Sequence, residues 1–260
     1  MSNITFDSTS FSEQLGIYDF FNVLLCGAIF TLGMCAIDIN IGNYLCNNLT
    51  VIKGLGIALM IYVIGMILQE TGSKLDRKFT KIYRGMNRSI LKGTVDINYR
   101  GETLNKITSN PIVLEQYRKH ARELCKDYIS GDECFENDNA NGFVFSVCQY
   151  YVSIKGQDKK VERLRALFGM SKTLMACFLL LSLFAFIALF FSNINSINVL
   201  NVVGVSPHGC EHCLNKVILA IAFAGMGFIF YVRAKRTMKN FLLILLGTYN
   251  ALKQAEDNTL

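Results

Sequence analysis

Residues 173–192, TLMACFLLLSLFAFIALFFS, run for twenty positions without a charge. No other feature restricts the fold as much. A stretch of about 20 mostly apolar residues is the length an α-helix needs to cross the hydrocarbon of a bilayer. Within lipid, only a helix or a closed barrel satisfies every backbone N–H and C=O. Residues 20–37, FFNVLLCGAIFTLGMCAI, are equally free of charge. Residues 54–68 reach bilayer length with Val51, Ile52, Lys53 and Gln69, and residues 217–232 gain Leu214 and Asn215. The chain is therefore expected to be a mainly all-α membrane protein with four transmembrane helices. Residues 1–19 precede the first pair (20–69), a mostly helical block at 70–172 is inserted between helices two and three, and 233–260 follow the second pair (173–232) as a helix. The first 19 residues carry Asp7, Glu13 and Asp19 but no Lys or Arg, which argues against a cleaved signal peptide.

Basic residues set the expected orientation. Of 26 lysines and arginines, 19 lie in residues 70–172 and five are Arg233, Lys235, Arg236, Lys239 and Lys253. Only Lys53 and Lys216 fall at the opposite ends of spans. Cytosolic flanks carry the excess of Lys and Arg, so both termini and the 70–172 block are expected in the cytosol beneath an inner membrane. The connections at about 38–52 and 193–215 are then outside.

The second outer connection contains SPHGCEHC, residues 206–213. In an oxidising compartment Cys210 and Cys213 are able to pair with each other, or one of them with Cys46. His208, Cys210, His212 and Cys213 are also ligand types that zinc prefers, although H-x-C-x-H-C is tight for one ion to take all four. Disulfide, metal site and ordinary loop all remain open, and the metal is unspecified.

The block at 70–172 carries 19 basic and 13 acidic residues. At 100° per residue, Lys74, Arg77, Lys78, Lys81, Arg84 and Arg88 form one stripe, while Leu75, Phe79, Ile82, Met86 and Ile90 gather opposite. The pattern predicts one amphipathic helix with a basic face. Such a face either meets anionic headgroups of the lipid bilayer or holds a phosphate-bearing ligand, since guanidinium forks match phosphate oxygens. Residues 93–103, with Val95, Ile97 and Tyr99 alternating, predict a short strand or hairpin arm. Residues 111–129 read as a helix, and His120 among Arg118, Lys119 and Arg122 reads as a solvated side chain. Asn137, Asn139, Asn141 and Gly142 imitate the start of a calcium loop, but the closing position is Cys148 in place of a bidentate Glu, which rejects that reading. From Asp158 and from Tyr231 the helical patterns run between membrane and cytosol without a breaker. The apolar run 241–252 is too short to cross and is expected to pack on the cytosolic block or on a neighbouring subunit.

No P-loop, zincin, nucleophile elbow or dinucleotide fingerprint is present, so neither enzyme activity, catalytic residues nor a cofactor is expected. Residues 20–37, 54–68, 173–192 and 217–232 hold no Asp, Glu, Lys, Arg or His, which disfavours a proton-coupled transporter. Ala220, Ala224 and Gly227 in the fourth span, and Gly54, Gly56 and Gly65 in the second, supply small faces. These suit close packing within the bundle or association into a homo-oligomer.

YDFFNVLLCGAIF, residues 18–30, together with the plan of two spans, inserted block and two spans, resembles four-pass bacterial membrane effectors of antiphage defence loci, Hailong-type nucleotide-gated effectors among them. In that group a proline is expected where Cys26 stands. The resemblance covers these 13 residues and the architecture, and carries no catalytic motif. It implies a membrane effector whose cytosolic block senses a nucleotide-type signal or a partner protein; with the small faces of the spans, one reading is then an oligomeric signal-gated ion channel or membrane-disrupting pore. The alternative is a non-conducting scaffold that recruits a cytosolic partner.

Overall fold

A computed structural model describes residues 8–46, 50–82, 138–200 and 209–258, with short pieces at 98–99, 102–103, 115–116, 118–119 and 123. These residues are helical almost throughout. The helices are α1 (Ser8–Ile37), α2 (Ile39–Cys46), α3 (Val51–Leu75), α4 (Asp138–Ile154), α5 (Lys159–Leu200) and α6 (Gly209–Asp257). A π-helical turn, Asp76–Thr80, follows α3. Strands β1 (Asn98–Tyr99) and β2 (Glu102–Thr103) form a two-residue antiparallel pair within the stretch expected to hold a strand.

Three helical stretches are long and apolar enough to cross a membrane: Val51–Thr80, Lys159–Phe190 and Leu214–Asp257. The described apolar part of α1, Asn22–Ile37, is shorter. Helices α5 and α6 are longer than the expected spans, at 42 and 49 residues. The connection expected at 193–215 contracts accordingly, because α5 continues to Leu200 and α6 begins at Gly209.

The chain divides into two compact units. The first comprises residues 1–75 and 169–233. Its core gathers Cys26, Ile37, Leu68, Leu174, Cys177, Phe178, Leu181 and Ala185, with Phe223 and Phe230 packed against it. Phe178 stacks on Phe230 with ring centroids 5.5 Å apart, a contact that adds directional preference to area burial. Close approach of α1 and α3 depends on two glycines. A Cβ on Gly27 would collide with the Ile61 carbonyl oxygen, and one on Gly65 with that of Val23. Hydroxyls in this unit turn back on main-chain oxygens: Thr31 donates to Gly27 at 2.9 Å, Thr71 to Ile67 at 2.7 Å and Thr173 to Gly169 at 3.1 Å. Each thereby satisfies a group that would be costly to leave bare in an apolar setting.

The second unit comprises residues 76–168 and 234–260. Along α4, Val144, Phe145, Cys148 and Val152 are buried at three- and four-residue spacing, and Phe241, Leu242, Leu245, Leu246 and Tyr249 are buried along α6. The short apolar run at 241–252 thus belongs to the core of its own chain. A tight turn joins α4 to α5. Gly156 adopts φ +67°, and the buried Asp158 accepts the Ser153 hydroxyl on Oδ2 at 2.9 Å. The Asp158 carbonyl accepts the Glu162 N–H at 2.9 Å, which opens α5.

Candidate functional site

The basic stretch after α3 departs from the expected amphipathic helix. Asp76 is 5% exposed, and its Oδ1 accepts both the Thr80 hydroxyl at 2.9 Å and the Ile82 N–H at 2.8 Å. Its main-chain oxygen accepts the Lys81 N–H at 2.7 Å, a five-residue step that widens the helix. A carboxylate that captures an amide six residues on competes with the regular helical ladder. Lys81 then takes φ +47°, a left-handed conformation costing a non-glycine residue about 1–3 kcal/mol.

The wider turn re-sorts the side chains. Ile82 is buried, but Phe79, expected on the apolar side with it, is 76% exposed beside exposed Arg77, Lys78 and Lys81. Among the described residues none of these three cations meets a carboxylate. Lys74 lies back on α3 and pairs with Glu70 at 3.5 Å, both well exposed, a pair worth at most about 1 kcal/mol. Arg84 and Arg88 lie outside the described residues. Among the described residues of the stripe, Arg77, Lys78 and Lys81 are exposed together with the Phe79 ring around a single turn.

The small residues of α6 separate as well. Ala220 packs against the first unit's core, and its carbonyl accepts the Ser182 hydroxyl at 2.9 Å. A Cβ on Gly227 would lie 3.3 Å from the Leu179 side chain of the same chain. Of the three residues expected to share an association face, only Ala224 is exposed. In α3, Gly65 serves packing on α1, whereas Gly54 and Gly56 border open space.

Cys210, His212 and Cys213 occupy the first turns of α6 and not a loop. Their side chains, the side chain of Cys46 and the whole of His208 lie outside the described residues, as does His120. Among the described residues Cys26, Cys35, Cys148 and Cys177 form no disulfide, and no three His, Cys, Asp or Glu side chains converge as a metal site would require.

One cluster has no counterpart in the sequence reading. Glu256 on α6 receives Lys155 at 2.7 Å and Lys253 at 3.1 Å. The Lys253 ammonium stands 4.9 Å from the centre of the Tyr151 ring, and Tyr151 meets Tyr249 edge-on at 5.3 Å. The Lys155 hydrogen bond, then the nearby Tyr151 hydroxyl and the Lys253 ammonium, hold the Glu256 carboxyl down to about 2. Lys155 is pushed up chiefly by its hydrogen bond to Glu256. Burial raises the Tyr151 phenol, and proximity to Glu256 adds to it. Its hydroxyl is buried and makes no well-formed hydrogen bond among the described residues, although it lies close enough to Glu256 to act on that carboxylate. The cluster fastens the end of α6 to the turn after α4. Sequence spacing could not reveal it, since Lys155 and Glu256 are about a hundred positions apart.

Set against known proteins, the chain matches no family model, no curated protein and no solved structure.

Proposed function

We propose that the protein is an oligomeric, multi-pass effector of a bacterial inner membrane: a signal-gated ion channel or membrane-disrupting pore controlled by its cytosolic unit. Four helices cross the bilayer, both termini and the second unit face the cytosol, and subunits close into a ring, most simply a tetramer. The signal is a nucleotide-type ligand or a cytosolic partner protein, and the setting is antiphage defence, as the resemblance in residues 18–30 implies.

The observation that carries this reading is the continuity of α5 and α6. Lys159–Leu200 and Gly209–Asp257 are single helices that each contribute residues to both compact units. A displacement where α4 turns into α5, or at the fastened end of α6, is passed along an unbroken helix to its apolar part. Conduction, on this reading, takes place between subunits. Within one bundle the Thr31, Thr71, Thr173 and Ser182 hydroxyls are occupied by main-chain oxygens, so an intersubunit constriction lined by apolar groups would gate by dewetting.

The test is expression of the full chain in cells carrying a membrane-potential dye, paired with current recording after reconstitution. Depolarisation, and current that depends on an added nucleotide or partner, support the channel. A stable monomer that leaves the potential intact removes it. The non-conducting scaffold would then stand, a reading supported by the inward placement of Ala220 and Gly227 in a bundle that packs on itself.

A further inference from the structure

We propose that the Asp76–Ile82 turn is a clasp for anionic phospholipid, with Arg77, Lys78 and Lys81 on headgroup phosphates and Phe79 entering the bilayer interface. The inference rests on the reading of α3 as a membrane span whose C-terminal end is cytosolic.

Four observations converge on it. A continued α-helix would have set Phe79 with Ile82; the turn instead leaves Ile82 buried and Phe79 76% exposed. The exposed ring lies in sequence among three exposed cations that meet no carboxylate among the described residues. The buried Asp76 carboxylate holds this arrangement through Thr80 and Ile82, so the display is fixed before any ligand arrives. Its place in the chain fits the headgroup layer. Gly72 abuts the Lys172 carbonyl, and Lys172 immediately precedes the uncharged run 173–192, which sets the apolar boundary of α3 near Gly72. Arg77 follows only five residues on in sequence, as a residue of the headgroup layer must, that layer being roughly 5–8 Å deep on each side of the hydrocarbon. Basic side chains beside an aromatic ring are the composition that anchors protein to that layer.

The chain contains no tryptophan, so Phe79→Trp introduces a single indole at an exposed position. The full-length variant is reconstituted into phosphatidylcholine vesicles with and without phosphatidylglycerol, with bromine on the acyl chains of one lipid at a time. The clasp requires blue-shifted emission and stronger quenching by brominated phosphatidylglycerol than by brominated phosphatidylcholine. Removing Arg77, Lys78 and Lys81 by alanine in that background is expected to lower the preference by about fivefold per cation, and raised salt should weaken it by screening. Emission of a water-exposed indole, unquenched in protein that has entered the vesicles, overturns the clasp while leaving the membrane reading intact. Inorganic pyrophosphate that relieves quenching in neutral vesicles overturns the lipid assignment in favour of a free phosphate ligand. Protein that fails to enter vesicles at all overturns the membrane reading and the clasp with it.

Discussion

Gly65 faces the main-chain carbonyl of Val23 so closely that any side chain at 65 would occupy the space of that oxygen. A backbone cannot rotate aside as a flexible side chain can, so Gly65→Ala must force α1 and α3 apart. Overpacking of this kind costs about 1–3 kcal/mol, read as a lower thermal midpoint in detergent. Gly54→Ala, which meets open space, should leave the stability within about 0.5 kcal/mol of the parent. Equal losses at both positions would refute this account of α1–α3 packing.

Ala224 and Gly227 separate assembly from folding. If subunits associate through α6, Ala224→Leu should shift cross-linked species toward monomer with little change in thermal midpoint. Gly227→Leu should cost about 1–3 kcal/mol of stability, read as a lower midpoint, because its new side chain meets Leu179 of the same chain. An unaltered oligomer distribution in Ala224→Leu would move the interface elsewhere.

Asp76→Ala removes the acceptor for both the Thr80 hydroxyl and the Ile82 N–H. Leaving a buried donor without a partner costs about 1–3 kcal/mol. Asp76→Asn, which keeps an acceptor oxygen, should cost less. Proteolysis after Lys78 or Lys81, followed by mass spectrometry, should accelerate in the alanine variant; unchanged cleavage would show that the turn holds without the carboxylate.

Glu256 supplies a pH dependence whose sign is fixed. Its folded carboxyl lies below the ordinary glutamate range, at about 2, chiefly through Lys155. The contribution is complete above the ordinary value of about 4.3 and disappears as pH falls from there to about 2. Glu256→Gln should therefore flatten the acid dependence of stability across that window, and high salt should mimic part of the loss because the pair is solvent-screened. Coincident acid profiles for parent and variant would remove the pair from the account.

Thiol labelling of intact cells tests the proposed outer placement of the connection that holds residues 206–213. On the disulfide reading, Cys210 and Cys213 should accept label only after reduction. Zinc at one equivalent in the purified protein would instead favour ligation by His208, Cys210, His212 and Cys213.

How much of this was legible in the sequence depended on how local the cause was. Uncharged runs revealed the apolar helices, and the absence of a breaker after Asp158 and after Tyr231 revealed two helices that continue past the expected span ends. Helical periodicity misplaced Phe79, because it assumes a constant 100° step. One buried carboxylate at Asp76 changed that step by binding an amide six residues away. Small residues at Ala220, Ala224 and Gly227 suggested one face, but the side chains of Leu179 and Ser182 determine which of them lie inside, and those are set by packing between helices. The Lys155–Glu256 pair joins positions about a hundred apart, beyond the reach of any local pattern.

Assembly order follows from the helix that closes the second unit. Val144, Phe145, Cys148 and Val152 emerge from the ribosome roughly 90 residues before Phe241–Tyr249, an interval of about 5–20 s at ordinary elongation rates. Both apolar stretches of α5 and α6 must be synthesised within that interval. On the proposed membrane reading, Tyr151 of α4 therefore meets Tyr249 of α6 only after both apolar stretches have been delivered. On that reading, newborn chains that stall during delivery would leave the Tyr151 side of this contact unfilled, so that completion of the second unit reports on delivery of the apolar stretches.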